Sequence, residues 1–382
     1  MVSLQELLCL NRPNFQINPK QSFDDAKLYF GRNNAQNLIE AIQTGYMAGY
    51  VPRFYLFGNY GTGKTHLLYH LKYYFENAQT DIRVLPVVIQ LEAESKTRYQ
   101  ALHKRFLDGI GIERLERAYQ DYGFLGEDRE RRFRELFPQP DLYLVMQLLQ
   151  AGPANKTLSW RWLTGDRLST AEQAQLGVTS LLTDTGDLVD VLVTIGELFK
   201  RTGQHLLFLI DESEGLHSVS NPDAMRSWHD AFRKLADQND NQSVGWIATF
   251  YTTLHDEPPS FVMEGDILSR LGKGGQHVLE PMAAVEVKQF LADLLDQFVD
   301  HDRAVTVMHE LGLPAETTHY PFTNPGLEAF IEHSKAAPQN AIPRTVIRAL
   351  TACGLEAIRR QERKFAPDLV DAVVPGEFAE LS

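Results

Sequence analysis

A glycine-rich stretch near residue 60 constrains the fold of this 382-residue chain more than any other feature. The apolar run Phe54–Phe57 ahead of it predicts a buried strand, and a helix is predicted to begin near Lys64. Between them lies the pattern G-x-x-x-x-G-K-[ST], which is typical of a phosphate-binding loop in this position. The predicted nucleotide-binding residues are Gly58, Asn59, Tyr60, Gly61, Thr62, Gly63, Lys64, Thr65 and His66.

The residue types of this loop suit an anion. Its three glycines let the backbone turn where side chains would clash, so successive N–H groups point inward. The N-terminus of the following helix adds partial positive charge. Lys64 can reach the β- and γ-phosphates, and the Thr65 hydroxyl can ligate Mg²⁺. An ordinary glycine turn before a helix is the alternative, but the strand and helix on either side favour a nucleotide site.

A second apolar run ends in two carboxylates. His205–Ile210 predicts a strand buried on both faces of a parallel sheet, and Asp211 and Glu212 follow at its carboxyl end, where open α/β sheets place their chemistry. Asp211 is predicted to hold Mg²⁺, directly or through water, and Glu212 to polarise the attacking water. An acidic loop after a core strand is the alternative.

A third buried run, Val244–Tyr251, carries a hydroxyl near its end. Thr249 is the first candidate for orienting the hydrolytic water or contacting the γ-phosphate, and Thr252 is the second. A threonine selected for its β-propensity explains the same residue without any chemistry.

Composition limits the classes of function. Hydrophobic residues make up 43% and charged residues 23% of the chain, and its formal net charge is −13. This acidic balance argues against a large non-specific DNA-binding surface. Cys9 and Cys353 have no metal or redox spacing, and no apolar run approaches the length of a membrane span. We therefore expect a cytoplasmic protein with no membrane partner.

The order of the patterns predicts an α/β fold with a parallel sheet flanked by helices, a helical insertion and a C-terminal helical lid. We assign residues 1–280 to a P-loop domain with the insertion at about 92–187, residues 281–366 to the lid, and residues 367–382 to a C-terminal tail. Gly31 and Arg32, ahead of a predicted helix, are candidates for the adenine pocket, with a packing helix as the alternative. The arginines of the insertion predict a solvated helix face, with a DNA or partner contact as the alternative.

These features occur in an order that resembles AAA+ ATPases, and within them the initiator clade that includes origin-recognition ATPases. The resemblance covers roughly residues 20–360. It is carried in turn by Gly31-Arg32, the phosphate loop, the second strand, Asp211-Glu212, the Thr249 strand, Ser269-Arg270 and Pro343-Arg344. Two shorter stretches, Trp162–Gly165 with Leu176–Val178 and Leu209–Leu216, look like the ATP-binding protein family of BREX-type phage-defence systems.

The resemblance implies roles for two arginines. Arg270 falls where AAA+ proteins carry an arginine finger, which acts in trans on the γ-phosphate bound by a neighbouring subunit, and Lys273 is a second candidate for that role. Arg344 falls where a sensor arginine of the lid touches the γ-phosphate in cis. A permanently charged guanidinium suits both tasks. For each, a surface or ion-paired arginine is the alternative.

The resemblance also implies a function. The implied activity is Mg²⁺-dependent hydrolysis of ATP to ADP. The protein would act as a homo-oligomeric switch in a DNA-associated bacterial phage-defence complex. Double-stranded DNA and other defence proteins are the candidate partners. Some twenty residues follow the last predicted lid helix, too few for the winged-helix DNA-binding domain of origin-recognition ATPases. The alternative is a nucleotide-gated scaffold or signalling ATPase that recruits or senses protein partners, with slow hydrolysis and no direct DNA binding.

Overall fold

The computed structural model describes residues 3–30, 33–78, 82–124, 128–237, 239–251, 259–271, 274–312 and 319–379. Contacts divide the chain into two units, each described here by itself. The first unit comprises Met1–Gln36, Gly58–His70 and Leu279–Ser382, and the second comprises Asn37–Phe57 and Leu71–Val278. The N-terminal segment and the glycine-rich loop therefore group with the C-terminal helices, whereas the sequence assigned them to the P-loop domain. Helices and strands are numbered in chain order.

Five strands of the described chain form one parallel sheet in the order β2-β3-β4-β1-β5. They are β1 (Arg53–Gly58), β2 (Arg83–Gln90), β3 (Gln204–Asp211), β4 (Val244–Tyr251) and β5 (Gln276–Leu279). In register, Gln90 of β2 pairs with Asp211 of β3, and Ile210 of β3 pairs with Ala248 of β4. Pro86 lies on the edge strand β2, the kind of position that a residue without an N–H tolerates. The apolar runs predicted as strands are thus confirmed.

Helices flank the sheet in the chain order of an α/β fold. Two of them, α3 (Asn34–Met47) and α4 (Lys64–Asn77), have residues in both units. The others of the second unit are α5 (Gln100–Ile110), α6 (Ile112–Phe124), α7 (Arg129–Leu136), α8 (Pro140–Leu148), α9 (Pro153–Leu163), α10 (Thr170–Leu176), α11 (Thr185–Arg201), α12 (Pro222–Ala236), α13 (Ser260–Met263) and α14 (Gly265–Leu271). A 3₁₀ turn, Ser213–Ser218, follows β3.

The predicted helical insertion comprises α5 to α10 and shares one apolar core with the sheet. The rings of Phe106 in α5 and Phe208 in β3 lie 4.1 Å apart between centroids. His103, also on α5, is fully buried, and its Nε2 donates to the Leu163 carbonyl at 2.8 Å. Burial lowers the pKa of His103 to about 4, so this imidazole is neutral at pH 7. The insertion is therefore part of the main core of the second unit.

All four tryptophans belong to the second unit. Trp162, Trp228 and Trp246 are fully buried in its core, and Trp160 is partly buried against it. The indole N–H of Trp162 donates to the Ser180 carbonyl at 2.8 Å, and that of Trp228 donates to the Thr97 carbonyl at 2.7 Å. These tryptophans are packing anchors, because large aromatic side chains bury much apolar area and need only one polar partner.

The first unit contains its own helical core. Its helices are α1 (Leu4–Leu7), α2 (Phe23–Lys27), α15 (Ala284–Phe298), α16 (His301–Glu310), α17 (Asn324–Ala336), α18 (Pro343–Arg360) and α19 (Pro367–Ala379). The Thr323 hydroxyl caps α17 by accepting from the Gly326 N–H at 3.1 Å, and Pro343 occupies the first turn of α18. The described residues thus have the fold class expected from the sequence, an α/β fold with a parallel sheet flanked by helices and a C-terminal helical region.

The C-terminal tail predicted from residue 367 is instead the helix α19, which packs on α17 and α18. Its buried side chains, Leu369, Val370, Val374 and Phe378, recur at helical spacing. Pro375 lies inside the helix and disguised this pattern, because proline is normally read as a helix breaker.

Several arginines of the insertion are paired with acids. Arg134 lies 2.7 Å from Glu130, and Arg131 lies 3.1 Å from Asp128 and 3.7 Å from Glu135. Such pairs are typical of a solvated helix face. No helix within the described ranges has the length and apolarity to cross a membrane.

Candidate active site

The glycine-rich loop connects β1 to α4 through two left-handed residues. Gly61 has φ +84° and Gly63 has φ +100°, a region that only glycine enters without strain. At Gly58 a Cβ atom would lie 2.6 Å from the Thr62 hydroxyl and 3.0 Å from the Leu279 carbonyl oxygen. The three glycines of the motif are thus required by backbone conformation or by close approach.

Polar groups of the loop are arranged around its own backbone. Lys64 Nζ donates to the Gly58 carbonyl at 2.6 Å and to the Asn59 carbonyl at 3.3 Å. The Thr62 hydroxyl also donates to the Asn59 carbonyl, at 2.8 Å. Within the described part of the chain, the backbone N–H groups of Tyr60, Gly61 and Gly63 donate no hydrogen bond. The loop therefore presents a lysine and available N–H donors, the groups that an anion binds.

His66 was predicted to contact nucleotide, but its ring is engaged elsewhere. Its Nε2 donates to the Asp25 carbonyl at 3.1 Å, and one turn later His70 Nδ1 donates to the Ala26 carbonyl at 3.1 Å. The Tyr29 ring stacks on His70 at 5.3 Å and meets the edge of His66 at 5.6 Å. Burial lowers the pKa of His66 to about 4, so the ring adds no charge to the loop at pH 7. The His66 ring therefore anchors the N-terminal segment.

The carboxylate pair at the end of β3 has contrasting environments. Asp211 is buried, with 2% of its surface exposed, whereas Glu212 is half-buried. Glu212 has φ +59° and ψ 37°, a left-handed conformation that is uncommon outside glycine and asparagine. Strained backbone of this kind is concentrated at functional sites. This conformation ends β3 at Asp211, and it turns the chain between the Asp211 and Glu212 side chains.

Thr249 on β4 holds this pair together. Its hydroxyl donates to Asp211 Oδ1 at 3.3 Å and accepts the backbone N–H of Glu212 at 3.1 Å. The side chain is fully buried. The hydroxyl predicted to act on water or phosphate is thus bonded to both residues of the carboxylate pair.

Gln90, at the end of β2, contacts Glu212, which the sequence did not suggest. Its side-chain amide donates to Glu212 Oε2. The register of β2 on β3 places Gln90 beside Asp211, and the next residue along β3 is Glu212. The polar residue at the end of the predicted strand was visible in the sequence, but strand order was needed to identify its partner.

Arg270 lies on α14 in a cleft of about 620 Å³ lined mostly by arginine, lysine and aspartate. Its Nε donates to Asp237 Oδ2 at 2.9 Å, and its Nη1 lies 3.7 Å from Asp266 Oδ2. The hydrogen bond from Arg270 lowers the pKa of Asp237. A γ-phosphate would therefore have to replace these two carboxylates to engage Arg270.

Arg344 is the second residue of α18 and lies against the glycine-rich loop. Its guanidinium carbon is 3.8 Å from the centroid of the Tyr60 ring, and its backbone N–H is 3.4 Å from the Gly61 carbonyl oxygen. The structure thus brings the predicted cis sensor to the predicted phosphate loop. Gly31, Arg32, Thr252 and Lys273 lie outside the described residues.

A comparison with known protein families finds no match, and one with curated proteins finds none either. Among solved structures, the chain is similar to the ORC2 protein of Aeropyrum pernix in its ADP form, with 13% identity, coverage of 96% of this chain and 73% of that one, and a TM-score of 0.49. The ORC1 protein of Aeropyrum pernix in complex with DNA matches with 13% identity, 93% and 67% coverage and a TM-score of 0.48.

Domain III of the Thermotoga maritima replication initiation protein DnaA is a third solved structure that the chain resembles. It matches with 13% identity, 96% and 99% coverage and a TM-score of 0.38. These scores are low, and the fold class given above rests on the strands, loop and helices of this chain themselves.

Proposed function

We propose that this protein is an AAA+ ATPase that binds and hydrolyses ATP and works as an oligomeric ATP-dependent switch. The observation that carries the proposal is the glycine-rich loop between a strand and a helix. Its left-handed glycines, its lysine and N–H groups that have no partner among the described residues are the groups expected of an anion site. The buried aspartate and strained glutamate at the end of β3 supply the second element that ATP hydrolysis requires.

The residues of both elements fit ATP with Mg²⁺. Lys64 would exchange its carbonyl partners for the β- and γ-phosphates, and the N–H groups of the loop would bind the same oxygens. Thr65 and Asp211 supply hydroxyl and carboxylate oxygens, the ligand types that Mg²⁺ prefers. When bound, Mg²⁺ neutralises charge on the phosphates. Gly31 and Arg32 are proposed to line the adenine side of the site.

Glu212 is proposed to accept a proton from the water that attacks the γ-phosphate. Thr249 holds the backbone of this glutamate, and Gln90 holds its carboxylate, so its position is set by two neighbouring strands. A general base must be fixed within hydrogen-bond reach of the proton that it removes. We therefore assign Thr249 a role in orienting the carboxylate pair that binds metal and water.

Arg344 is proposed to contact the γ-phosphate in cis, and Arg270 to complete the site of a neighbouring subunit in trans, with Lys273 as an alternative. In this chain Asp237 and Asp266 neutralise Arg270. Assembly would have to offer this guanidinium a better anion, and the terminal phosphate of ATP carries more charge than one carboxylate. Hydrolysis would then depend on subunit contact.

The biological setting is proposed from sequence resemblance alone, and it is a DNA-associated phage-defence complex in the bacterial cytoplasm. Its partners would be double-stranded DNA and other defence proteins. The net charge of −13 and the paired arginines of α7 favour a protein partner over direct DNA binding. This observation supports the second candidate, a nucleotide-gated scaffold or signalling ATPase with slow hydrolysis.

Steady-state ATP hydrolysis against protein concentration tests the proposal. We expect specific activity to rise with concentration, to vanish in Lys64→Ala, and to fall at least tenfold in Arg270→Ala. Arg131→Ala is the control, because Arg131 is likewise paired with two acids but is more exposed and lies on the insertion. Activity that is absent in the wild-type protein refutes an ATPase. Activity that is flat with concentration and indifferent to Arg270 refutes hydrolysis in trans and leaves the gated scaffold.

A further inference from the structure

The contact between Arg344 and Tyr60 joins the lid helix α18 to the glycine-rich loop. The guanidinium carbon lies 3.8 Å from the ring centroid, a close cation–π distance. The arginine backbone also follows the loop, because its N–H is 3.4 Å from the Gly61 carbonyl oxygen. At Gly61 an added Cβ would lie 2.9 Å from the Arg344 Cβ and 3.3 Å from its Cδ. The side chain therefore runs alongside the loop as far as the Tyr60 ring.

Stacking leaves the hydrogen-bonding groups of the arginine available. A guanidinium that stacks on a ring uses its face, while its five N–H donors lie in its plane. Within the described residues, the Arg344 side chain makes no hydrogen bond and no ion pair. Arg270, by contrast, is held by two carboxylates. Arg344 is thus positioned by a contact that consumes none of its donors.

The Tyr60 side chain is 66% exposed, and a solvated loop position is served equally well by a small polar residue. Among the described residues, its ring contacts the guanidinium of Arg344. The ring therefore acts on the arginine, and its effect on a bound ligand must pass through that arginine.

We propose that Tyr60 is a positioning residue that holds the Arg344 guanidinium at the loop so that its donors engage the terminal phosphate of a nucleoside triphosphate. This inference rests on the proposed ATPase function and adds a determinant of triphosphate specificity. A pre-positioned arginine loses less conformational freedom on binding than a mobile one. A diphosphate lacks the group that the arginine contacts, so its binding should not depend on the ring.

The test is the affinity of the full-length protein for ATP and ADP, measured by calorimetry with Mg²⁺ present. An exposed cation–π contact is worth a two- to fivefold change in a binding constant. We expect Tyr60→Leu to weaken ATP binding two- to fivefold and to leave ADP binding unchanged. Tyr60→Phe keeps the ring and should restore the wild-type ratio of the two affinities. In an Arg344→Ala background, Tyr60→Leu should have no further effect.

The outcomes separate this inference from the ATPase proposal. Equal weakening of ATP and ADP by Tyr60→Leu, or an effect that persists without Arg344, shows a structural role for the loop and overturns the inference. If Arg344→Ala loses the preference for ATP over ADP and Tyr60→Leu keeps it, the role proposed for Tyr60 is wrong. The ATPase proposal then remains intact. A wild-type protein that binds neither nucleotide refutes the ATPase proposal itself. Because the ring is exposed, both Tyr60 variants should fold, and circular dichroism checks this.

Discussion

Replacing Thr249 by valine removes one hydroxyl from β4 and keeps the branched shape of the side chain. The fully buried hydroxyl makes two hydrogen bonds, one to Asp211 Oδ1 at 3.3 Å and one from the Glu212 N–H at 3.1 Å. A hydrogen bond to a charged group contributes about 1.5–3 kcal/mol to stability, and one between neutral groups about 1 kcal/mol. The extra apolar burial of valine offsets about 1 kcal/mol of this loss.

We therefore expect Thr249→Val to lower the free energy of unfolding by about 1–3 kcal/mol. The chain supplies a matched control in Thr345, which is also fully buried but whose hydroxyl has no hydrogen-bond partner within the described residues. Thr345→Val removes an unsatisfied polar atom, so it should be neutral or stabilising by up to about 1 kcal/mol. The two substitutions have the same chemistry, and their difference isolates the hydrogen bonds.

Urea denaturation followed by far-ultraviolet circular dichroism measures both variants. Thr249→Ser should recover most of the lost stability, because it restores the hydroxyl. The hydrolysis rate should fall in Thr249→Val as well, since the carboxylates proposed to bind metal and water lose a shared hydrogen-bond partner. If Thr249→Val proves as stable as Thr345→Val, the hydroxyl does not hold the carboxylate pair, and the role assigned to it is wrong.

Three further predictions concern the loop, β2 and the insertion. Gly61→Ala should destabilise the protein by about 1–2 kcal/mol, and by more than Gly63→Ala does. Both glycines are left-handed, but of the two only Gly61 has neighbours within 4 Å of an added Cβ. Equal losses of stability in urea denaturation would contradict this prediction. Gln90→Leu should lower kcat with little change in KM, because it frees the glutamate that we assign to the water, and an unchanged kcat would show that this contact is incidental. Stability should fall as pH drops from about 6.5 towards 4, because burial lowers the pKa of both His103 and His66 to about 4 and the unfolded chain then binds more protons. His103→Gln, which can still donate to the same carbonyl, should reduce the slope of stability against pH. An unaltered slope would assign the dependence to other groups.

Much of the fold was predictable because its signals are local. The strand Val244–Tyr251 has the bounds predicted from its apolar run, and the predicted runs Phe54–Phe57 and His205–Ile210 lie within β1 and β3. The first residues of α17 and α18 also carry local signals, a threonine cap and a proline. The phosphate loop was likewise recognisable, because its glycines must occupy fixed positions relative to a strand and a helix.

The finer arrangement of the site was not predictable, because it depends on contacts between residues far apart in the chain. Gln90 meets Glu212 only because β2 lies beside β3 in the sheet, and Tyr60 meets Arg344 across more than two-thirds of the sequence. The left-handed backbone of Glu212 has no signature in its residue type. The predicted tail failed for a different reason, since the helical spacing of its apolar residues was present but outweighed by one proline.

The placement of the four tryptophans, all in the second unit and three of them fully buried, makes this chain spectroscopically asymmetric. Emission excited at the red edge of the protein absorption band arises from the second unit alone. Unfolding of the N-terminal segment and the C-terminal helices would not be reported by a tryptophan of their own. A tryptophan introduced on α19 would give the silent unit its own reporter, and comparing the two signals would show whether the units unfold as one body or in sequence.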